Sequence, residues 1–298
     1  MQFKRIKREI NGVLLLDKPP AYSSNQALQI AKRLYSAAKA GHTGNLDPFA
    51  TGLLPLCLGE ATKFSQTLLD ADKEYSATLK LGATSSTGDT EGDISAQQPV
   101  QVSPSQVEHV LQRFIGEIQQ IPPMHSALKY QGKALYEYAR AGVEIERKPR
   151  PVTIKRLTLD RLQGDEMQIT VTCSKGTYIR VLAEDIGKAL GCGAYLTALR
   201  RLVTGGFELA QAVTLEQLEH LSQEQRDALL LPADVLLSAL PMVTLDEESA
   251  HFFCQGQSVW KSGMSSLGMH RVYAASQKFL GVGDNMGDGQ IFPKRIVV

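Results

Sequence analysis

Between Gly41 and Gly52 the chain reads GHTGNLDPFATG, and this segment holds one carboxylate, Asp47. Pro48 fixes its own φ and pushes Asp47 out of the helical region. Gly41, Gly44 and Gly52 admit backbone angles that other residues reach only at a cost. Asp47 is therefore expected on an extended, stiffened loop, with the apolar run Leu53 to Leu58 anchoring that loop in a core. A lone acid on rigid backbone suits nucleophilic or base chemistry toward a bound group. Asp-Pro and glycine also make ordinary turns, so the loop alone leaves both readings open.

The rest of the chain narrows the chemistry. It has no P-loop ending in GK[ST], no dinucleotide fingerprint and no metal-spaced His/Cys set, so neither a cofactor nor a metal is expected. Cys57, Cys173, Cys192 and Cys254 are far apart and form no CxxC pair, which predicts buried thiols. No apolar run reaches the ~20 residues of a membrane span. The start, MQFKRIKREI, lacks an apolar signal region, which predicts a cytoplasmic protein. A net charge of +1 hides an uneven distribution. Residues 129–156 hold eight Lys/Arg against three Glu, whereas residues 207–250 hold one Arg against nine Asp/Glu. A local basic block in a near-neutral chain predicts a polyanion on one face.

The elements that must position Asp47 follow from pattern. Gly12 to Asp17 reads as a buried strand, stopped by Lys18-Pro19-Pro20. Ser23 or Ser24 caps a helix over 25–36, with Leu28, Ile30, Ala31 and Leu34 inward. A helix near 60–69 precedes the alternating run that starts at Tyr75. Residues 84–100 are polar and turn-rich, hence a loop. Ser103-Pro104 with Gln106 opens a helix to about 115. Residues 122–150 form an irregular basic excursion, and Val152–Leu162 and Met167–Cys173 two alternating strands. Thr177 opens a helix with Ile179, Leu182, Ala183, Ile186 and Leu190 on its apolar face, ending at Gly191. An acidic, mostly helical stretch covers 207–240. From Pro241 short strands with glycine turns predict a small all-β module closed by Ile296-Val297-Val298. The basic arm of residues 1–11 (Lys4, Arg5, Lys7, Arg8) reads as a solvated tail or a phosphate contact.

Four blocks carry a resemblance: NGVLLLDKPPAYSSNQAL (11–28), GHTGNLDPFATG, PPMHSALKYQGKALYEYAR (122–140) and CSKGTYIRVLAEDIGKALGCGAYLTALRR (173–201). In order and spacing they resemble the bacterial tRNA pseudouridine-55 synthases of the TruB family. The resemblance implies an α+β pseudouridine synthase fold with a mixed, mainly antiparallel central sheet, and a C-terminal β-rich PUA domain. It divides the chain into a catalytic domain, 1–240, and an RNA-binding domain, 241–298. It implies an isomerase that converts uridine-55 in the tRNA T-loop to pseudouridine after flipping the base out, and that also assists tRNA folding. Asp47 is the implied catalytic aspartate, Arg180 of the KGTYIR block its cation, and Tyr75 the tyrosine that stacks on the base and handles the C5 proton. Tyr178 and Leu199 match pocket-lining positions, His42 a contact to the flipped base, and Lys18 and Pro19 positions near the site. Pro20-Ala21-Tyr22 departs from the family, whose tight turn carries a glycine here. His125 stands where members often carry tyrosine.

The residues add their own support. An ionised Asp in a dry pocket needs a cation, and an Arg in the first turn of a helix opposes the helix dipole. Isomerisation involves no redox change and no phosphoryl transfer. Lys129, Lys133, Arg140, Arg147, Lys148 and Arg150, interleaved with Tyr130, Tyr136 and Tyr138, suit backbone and stacking contacts to RNA. Lys129 and Arg140 are taken as substrate-binding, the T-arm of tRNA as partner and a monomer as the working state. Two other readings remain: an RNA-binding or RNA-folding protein that does not need Asp47, and a phosphate-binding enzyme built on residues 41–44.

Overall fold

The structure, a computed structural model, describes residues 7–95 and 98–297, so Lys4, Arg5 and Val298 lie outside the described residues. A ten-stranded sheet organises the larger part of the chain. Its main path runs Val213–Thr214, Gly12–Lys18, Thr51–Leu58, Ala194–Thr204, Lys73–Leu81, Glu166–Cys173, Arg150–Gln163 and Gly116–Gln120. Ala40–His42 and Phe207–Glu208 pair off this path. Ala194–Thr204 runs parallel to Thr51–Leu58, and Val213–Thr214 parallel to Gly12–Lys18, while the other pairings are antiparallel. The sheet is thus mixed and mainly antiparallel.

Period-2 sequence gives period-2 burial. Along Lys73–Leu81 every second residue, Lys73 to Leu81, is buried against the core. Thr51–Leu58 instead reads as a continuous apolar run and is buried on both faces. Helix Ser24–Leu34 starts at Ser23, whose side chain accepts from Gln26 in a capping box. Its buried residues are Ser24, Ala27, Leu28 and Ala31, with Ile30 and Leu34 only half-buried. Helix Pro104–Gln112 opens with the Ser103–Gln106 capping box. Helix Ile179–Leu190 ends at Gly191, whose φ of 78° makes the left-handed stop. No described helix is long and apolar enough to cross a membrane.

The excursion at 122–150 holds a short hairpin, Lys129–Tyr130 with Lys133–Ala134, and helix Leu135–Arg140. The acidic stretch is helical only in short pieces, chiefly Leu215–His220, Gln223–Asp227 and Ala233–Leu237.

Beyond Pro241 a second, five-stranded sheet runs Met242–Leu245, Gly268–Ala274, Phe279–Asn285, Gln290–Ile296, Val259–Trp260. It is not all-β: helix Glu247–Cys254 packs on it, capped by Asp246, whose side chain accepts from Ser249 N–H. The expectation of buried thiols also needs correction at one place, because Cys254 at the end of this helix is exposed. The module is docked, not tethered. Val282 is buried among Val13, Leu53, Phe64 and Leu236 of the larger part, with Phe279 and Val297 packed alongside. Lys63 donates to Ile296 O at 2.7 Å, and the Tyr273 hydroxyl to Asp234 at 2.6 Å.

Candidate active site

Asp47 sits where Thr51–Leu58 is entered from its preceding loop. Two buried cations hold that loop from different sides. Lys18, fully buried at the end of strand Gly12–Lys18, donates to Pro19 O, Tyr22 O and Pro48 O. Arg201, 1% exposed on Ala194–Thr204, donates to Leu53 O at 2.7 Å. Ser24 adds a third tie: its hydroxyl donates to Leu46 O and accepts from Leu46 N–H. Of the loop glycines, Gly44 and Gly52 both take positive φ, and Gly52 is the one with no room for a side chain. Its φ is 103°, and a Cβ there would lie 2.3 Å from Arg201 O. Gly41 has no positive φ and open space around it, so its conformational freedom is not used.

The turn Pro20-Ala21-Tyr22, where the resemblance led to an expected glycine, bends at Ala21. Ala21 keeps the left-handed backbone, φ 65°, that a glycine would take without cost. Its N–H donates to Pro48 O at 2.9 Å, so the strained turn is latched to the residue after Asp47.

Arg180 enters from the first turn of helix Ile179–Leu190 and is 5% exposed. Its Nε lies 3.0 Å from Asp47 Oδ2 and 3.5 Å from Asp89 Oδ2. Nη1 donates to Thr87 O at 3.0 Å, and Nη2 to His125 O at 2.7 Å. The guanidinium therefore joins the Asp47 loop, the 84–95 loop and the root of the basic excursion. Of the two carboxylates it faces, Asp89 is sealed, while the Asp47 side chain keeps 37% of its surface open. Burial pushes the Asp47 carboxyl above the usual aspartate range, opposed first by Arg180. Burial also pulls Lys18 down to about 8, opposed by Asp47.

The remaining predicted residues fall around this pair. Tyr75 is buried on Lys73–Leu81, opposite Arg201 in the sheet register, and Leu199 on the same neighbouring strand is 7% exposed. Burial pushes both the Tyr75 and Tyr178 phenols up, and the Asp47 charge bears on each. Tyr178 is half-buried at the N-terminus of its helix, with its N–H donating to Gln120 Oε1. His42 is half-buried with Nδ1 unpartnered, and burial and Arg201 together lower its titration. Pro19 is half-buried beside Lys18. Lys129 and Arg140 are exposed on the excursion, outside this cluster. There Arg140 lies over the Tyr136 ring at 5.4 Å and Lys133 over Tyr138 at 4.9 Å. Arg147, in the same basic set, is engaged internally by Glu144 and Pro122 O.

Two residues of the cluster escaped sequence reasoning. Asp89 lies in a stretch of small polar residues that reads as solvated loop, yet it is 2% exposed. Its Oδ1 accepts from the Thr87 hydroxyl and from Glu91 N–H, so its burial is supported by local turns. Arg201 lies in YLTALRRLVT, where two adjacent arginines mask the strand. Arg200 and Arg201 point to opposite faces: Arg200 makes a two-point pair with Asp17 at 2.6 and 3.1 Å, and Arg201 goes into the core.

Comparison with known proteins agrees over the whole chain. Residues 32–179 match the TruB family pseudouridylate synthase N-terminal domain, 180–238 the tRNA pseudouridylate synthase B C-terminal domain, and 241–297 the pseudouridine synthase II TruB C-terminal region. The tRNA pseudouridine synthase B of Methylobacillus flagellatus is 60% identical over 297 residues, covering 100% of this chain and 98% of that protein. Those of Nitrosospira multiformis (56%; 98% and 96% covered) and Dechloromonas aromatica (55%; 100% and 99%) are also similar. A chain of the Cbf5–Nop10–Gar1 complex crystal structure superposes with a TM-score of 0.70 at 26% identity, covering 96% of this chain and 84% of that one. With full-length relatives this similar and an α+β pseudouridine synthase fold carrying a PUA-like C-terminal sheet, the chain belongs to the TruB family of pseudouridine synthases.

Proposed function

We propose that the chain isomerises uridine-55 in the T-loop of tRNA to pseudouridine, with Asp47 as the catalytic carboxylate. The observation that carries this reading is the half-open Asp47 carboxylate held 3.0 Å from a buried Arg180. The C1′–N1 bond of the nucleotide breaks and a C1′–C5 bond forms. The C5 proton leaves and N1 gains one, so the product is an isomer. A carboxylate kept ionised by Arg180 serves this either as nucleophile toward the nucleoside or as base. Tyr75 supplies a buried ring to stack on the uracil and a phenol to handle the C5 proton. Leu199, Tyr178 and His42 complete the pocket, and Lys18 with Pro19 fixes its floor.

A uridine inside a folded T-loop reaches a recessed acid only after extrusion, which costs a few kcal/mol of unstacking. Contacts from the exposed excursion, Lys129 and Arg140 among them, offset that cost. In this reading residues 1–240 are the catalytic domain and 241–298 a PUA domain that grips tRNA away from the reacting loop. The protein works as a monomer in the cytoplasm, needs no cofactor, and the opening and release of the loop assists tRNA folding. The names of the similar proteins support tRNA as substrate.

The test is a purified-protein assay on an unmodified tRNA transcript with position-resolved pseudouridine mapping. Product at position 55 and nowhere else is expected, with Asp47→Asn binding the tRNA but making none. Product at another position, or near-normal turnover by Asp47→Asn, overturns the assignment.

A further inference from the structure

Arg201 is 1% exposed and meets no carboxylate within ion-pair distance among the described residues. Its Nη2 is buried without a hydrogen-bond partner. Its charge bears on Lys18, His42, Lys73 and Tyr75, and Asp47, the acid that also bears on Lys18 and Tyr75, makes no ion pair with it. A buried unpaired guanidinium costs stability and is not explained by packing. Its contacts show what it does hold. Nε donates to Leu53 O at 2.7 Å, after Asp47, and Nη1 lies 3.5 Å from Asn45 O, before Asp47. The guanidinium thus bridges both limbs of the catalytic loop from beneath. On its own strand Arg201 is opposite Tyr75 on one side and Gly52 on the other. The approach to Gly52 is so close that only glycine fits.

We propose that Arg201 is a positioning residue that ties the Asp47 loop to the strand bearing Tyr75, so that the carboxylate and the phenol keep a fixed spacing across the flipped uracil. The proposal rests on the functional reading above. Arg201 already acts on the Tyr75 phenol as a side-chain hydrogen-bond partner, and in the RNA complex its Nη2–H, which has no other partner, is the donor that holds the Tyr75 oxygen. Lysine cannot replace this arrangement, because a point charge does not span two carbonyls and a phenol in one plane.

The experiment compares wild type, Arg201→Lys, Arg201→Met, Tyr75→Phe and the double variant Arg201→Lys/Tyr75→Phe. Each is measured by single-turnover conversion of saturating tRNA transcript, by tRNA affinity, and by thermal unfolding. Loop misplacement of this kind is expected to lower the single-turnover rate of Arg201→Lys about 100-fold. The tRNA Kd should stay within a factor of about two, since the affected contacts are made only at the reacting centre. The effects of Arg201→Lys and Tyr75→Phe should be strongly non-additive, a coupling that a merely structural arginine would not produce. A wild-type rate in folded Arg201→Lys, a loss confined to Kd, or additive effects in the double variant overturns the proposal. If the Arg201 variants do not fold, Gly44→Ala is used instead. It places a methyl 3.5 Å from Arg201 Nη1 at a φ of 138°. An unchanged single-turnover rate there also overturns it. Wild-type protein that makes no pseudouridine in tRNA refutes the functional reading itself, and is scored before any variant.

Discussion

At the scale of single residues, the site depends on how differently two carboxylates are treated by one guanidinium. Arg180 faces both, yet only Asp47 keeps an open side. Its four neighbours use the whole fork: Asp47 and Asp89 at Nε, Thr87 O at Nη1 and His125 O at Nη2. Arg180→Lys should therefore lower the single-turnover rate by about 100-fold or more while leaving a folded protein, because a misplaced reacting group alone costs that much. Retention of most activity would show that the ion pair does not serve the reaction. The pH dependence has a definite sign. Burial raises the Asp47 pKa, so a larger share is protonated at a given acidic pH than for an ordinary aspartate. If the ionised form reacts, the rate falls as pH drops, with a midpoint above the usual aspartate range. A pH–rate profile flat down to that range would count against Asp47 as the ionised reactant. Pro48 and the flanking glycines made the stiff loop around Asp47 legible in sequence, but only the resemblance of the whole GHTGNLDPFATG block singled out its carboxylate. Asp89 was not legible, because its burial depends on a polar loop packing under a distant helix.

Elements show the same division between local and long-range causes. Capping boxes at Ser23 and Ser103, the alternation of Lys73–Leu81 and the Gly191 stop are written within a few residues, and each is present. Strand Ala194–Thr204 was hidden because its pattern is broken by two arginines whose partners, Asp17 and Leu53 O, lie over a hundred positions away. Helix Glu247–Cys254 had its signals in place, an Asp246 cap followed by Glu247 and Glu248. They were outweighed by the glycine-rich texture that follows. The turn at Ala21 offers a test at this scale. A non-glycine residue at φ 65° carries roughly 1–2 kcal/mol of strain, partly offset by the greater chain entropy glycine loses on folding. Ala21→Gly should stabilise the protein by about 1 kcal/mol, a rise in Tm of ~2 °C for a chain of this size. Activity should be preserved, since the bond from residue 21 N–H to Pro48 O survives the change. A calorimetric Tm unchanged or lowered would mean that the turn is not strained as its φ implies.

For the whole molecule, the proposed reading assigns RNA binding to two surfaces, and each yields a measurement. The excursion presents Arg140 and Lys148 to solvent, whereas Arg147 is tied to Glu144 and Pro122 O. Neutralising Arg140 or Lys148 should make log Kd for tRNA less steep in log salt by about one unit each, as one phosphate contact is lost. Arg147→Gln should change folding stability more than the salt slope. Slopes unchanged in both exposed variants would move the RNA face elsewhere. The C-terminal module is the second surface, and its docking dictates how to remove it. A cut after residue 250 would split helix Glu247–Cys254 and strand Met242–Leu245 from their sheet, so the deletion must begin at 241. It also withdraws Val282, Phe279 and Val297 from Phe64, Leu236 and Leu53. Uncovering such contacts costs roughly 1.5 kcal/mol or more per well-buried side chain, so a lower Tm is expected. The chemistry should survive below that Tm. Leu53 remains paired in Thr51–Leu58 and bonded to Arg201, and none of the residues around Asp47 lies beyond Arg201. Deleting 241–298 should therefore leave the single-turnover rate on a T-arm stem-loop nearly unchanged. Affinity for full-length tRNA should fall about tenfold or more, equivalent to ~1.4 kcal/mol, if the module grips tRNA outside the T-arm as proposed. Chemistry abolished in a folded truncation would make the docked module part of the catalytic body. Equal affinity losses for stem-loop and tRNA would place its contacts on the T-arm itself.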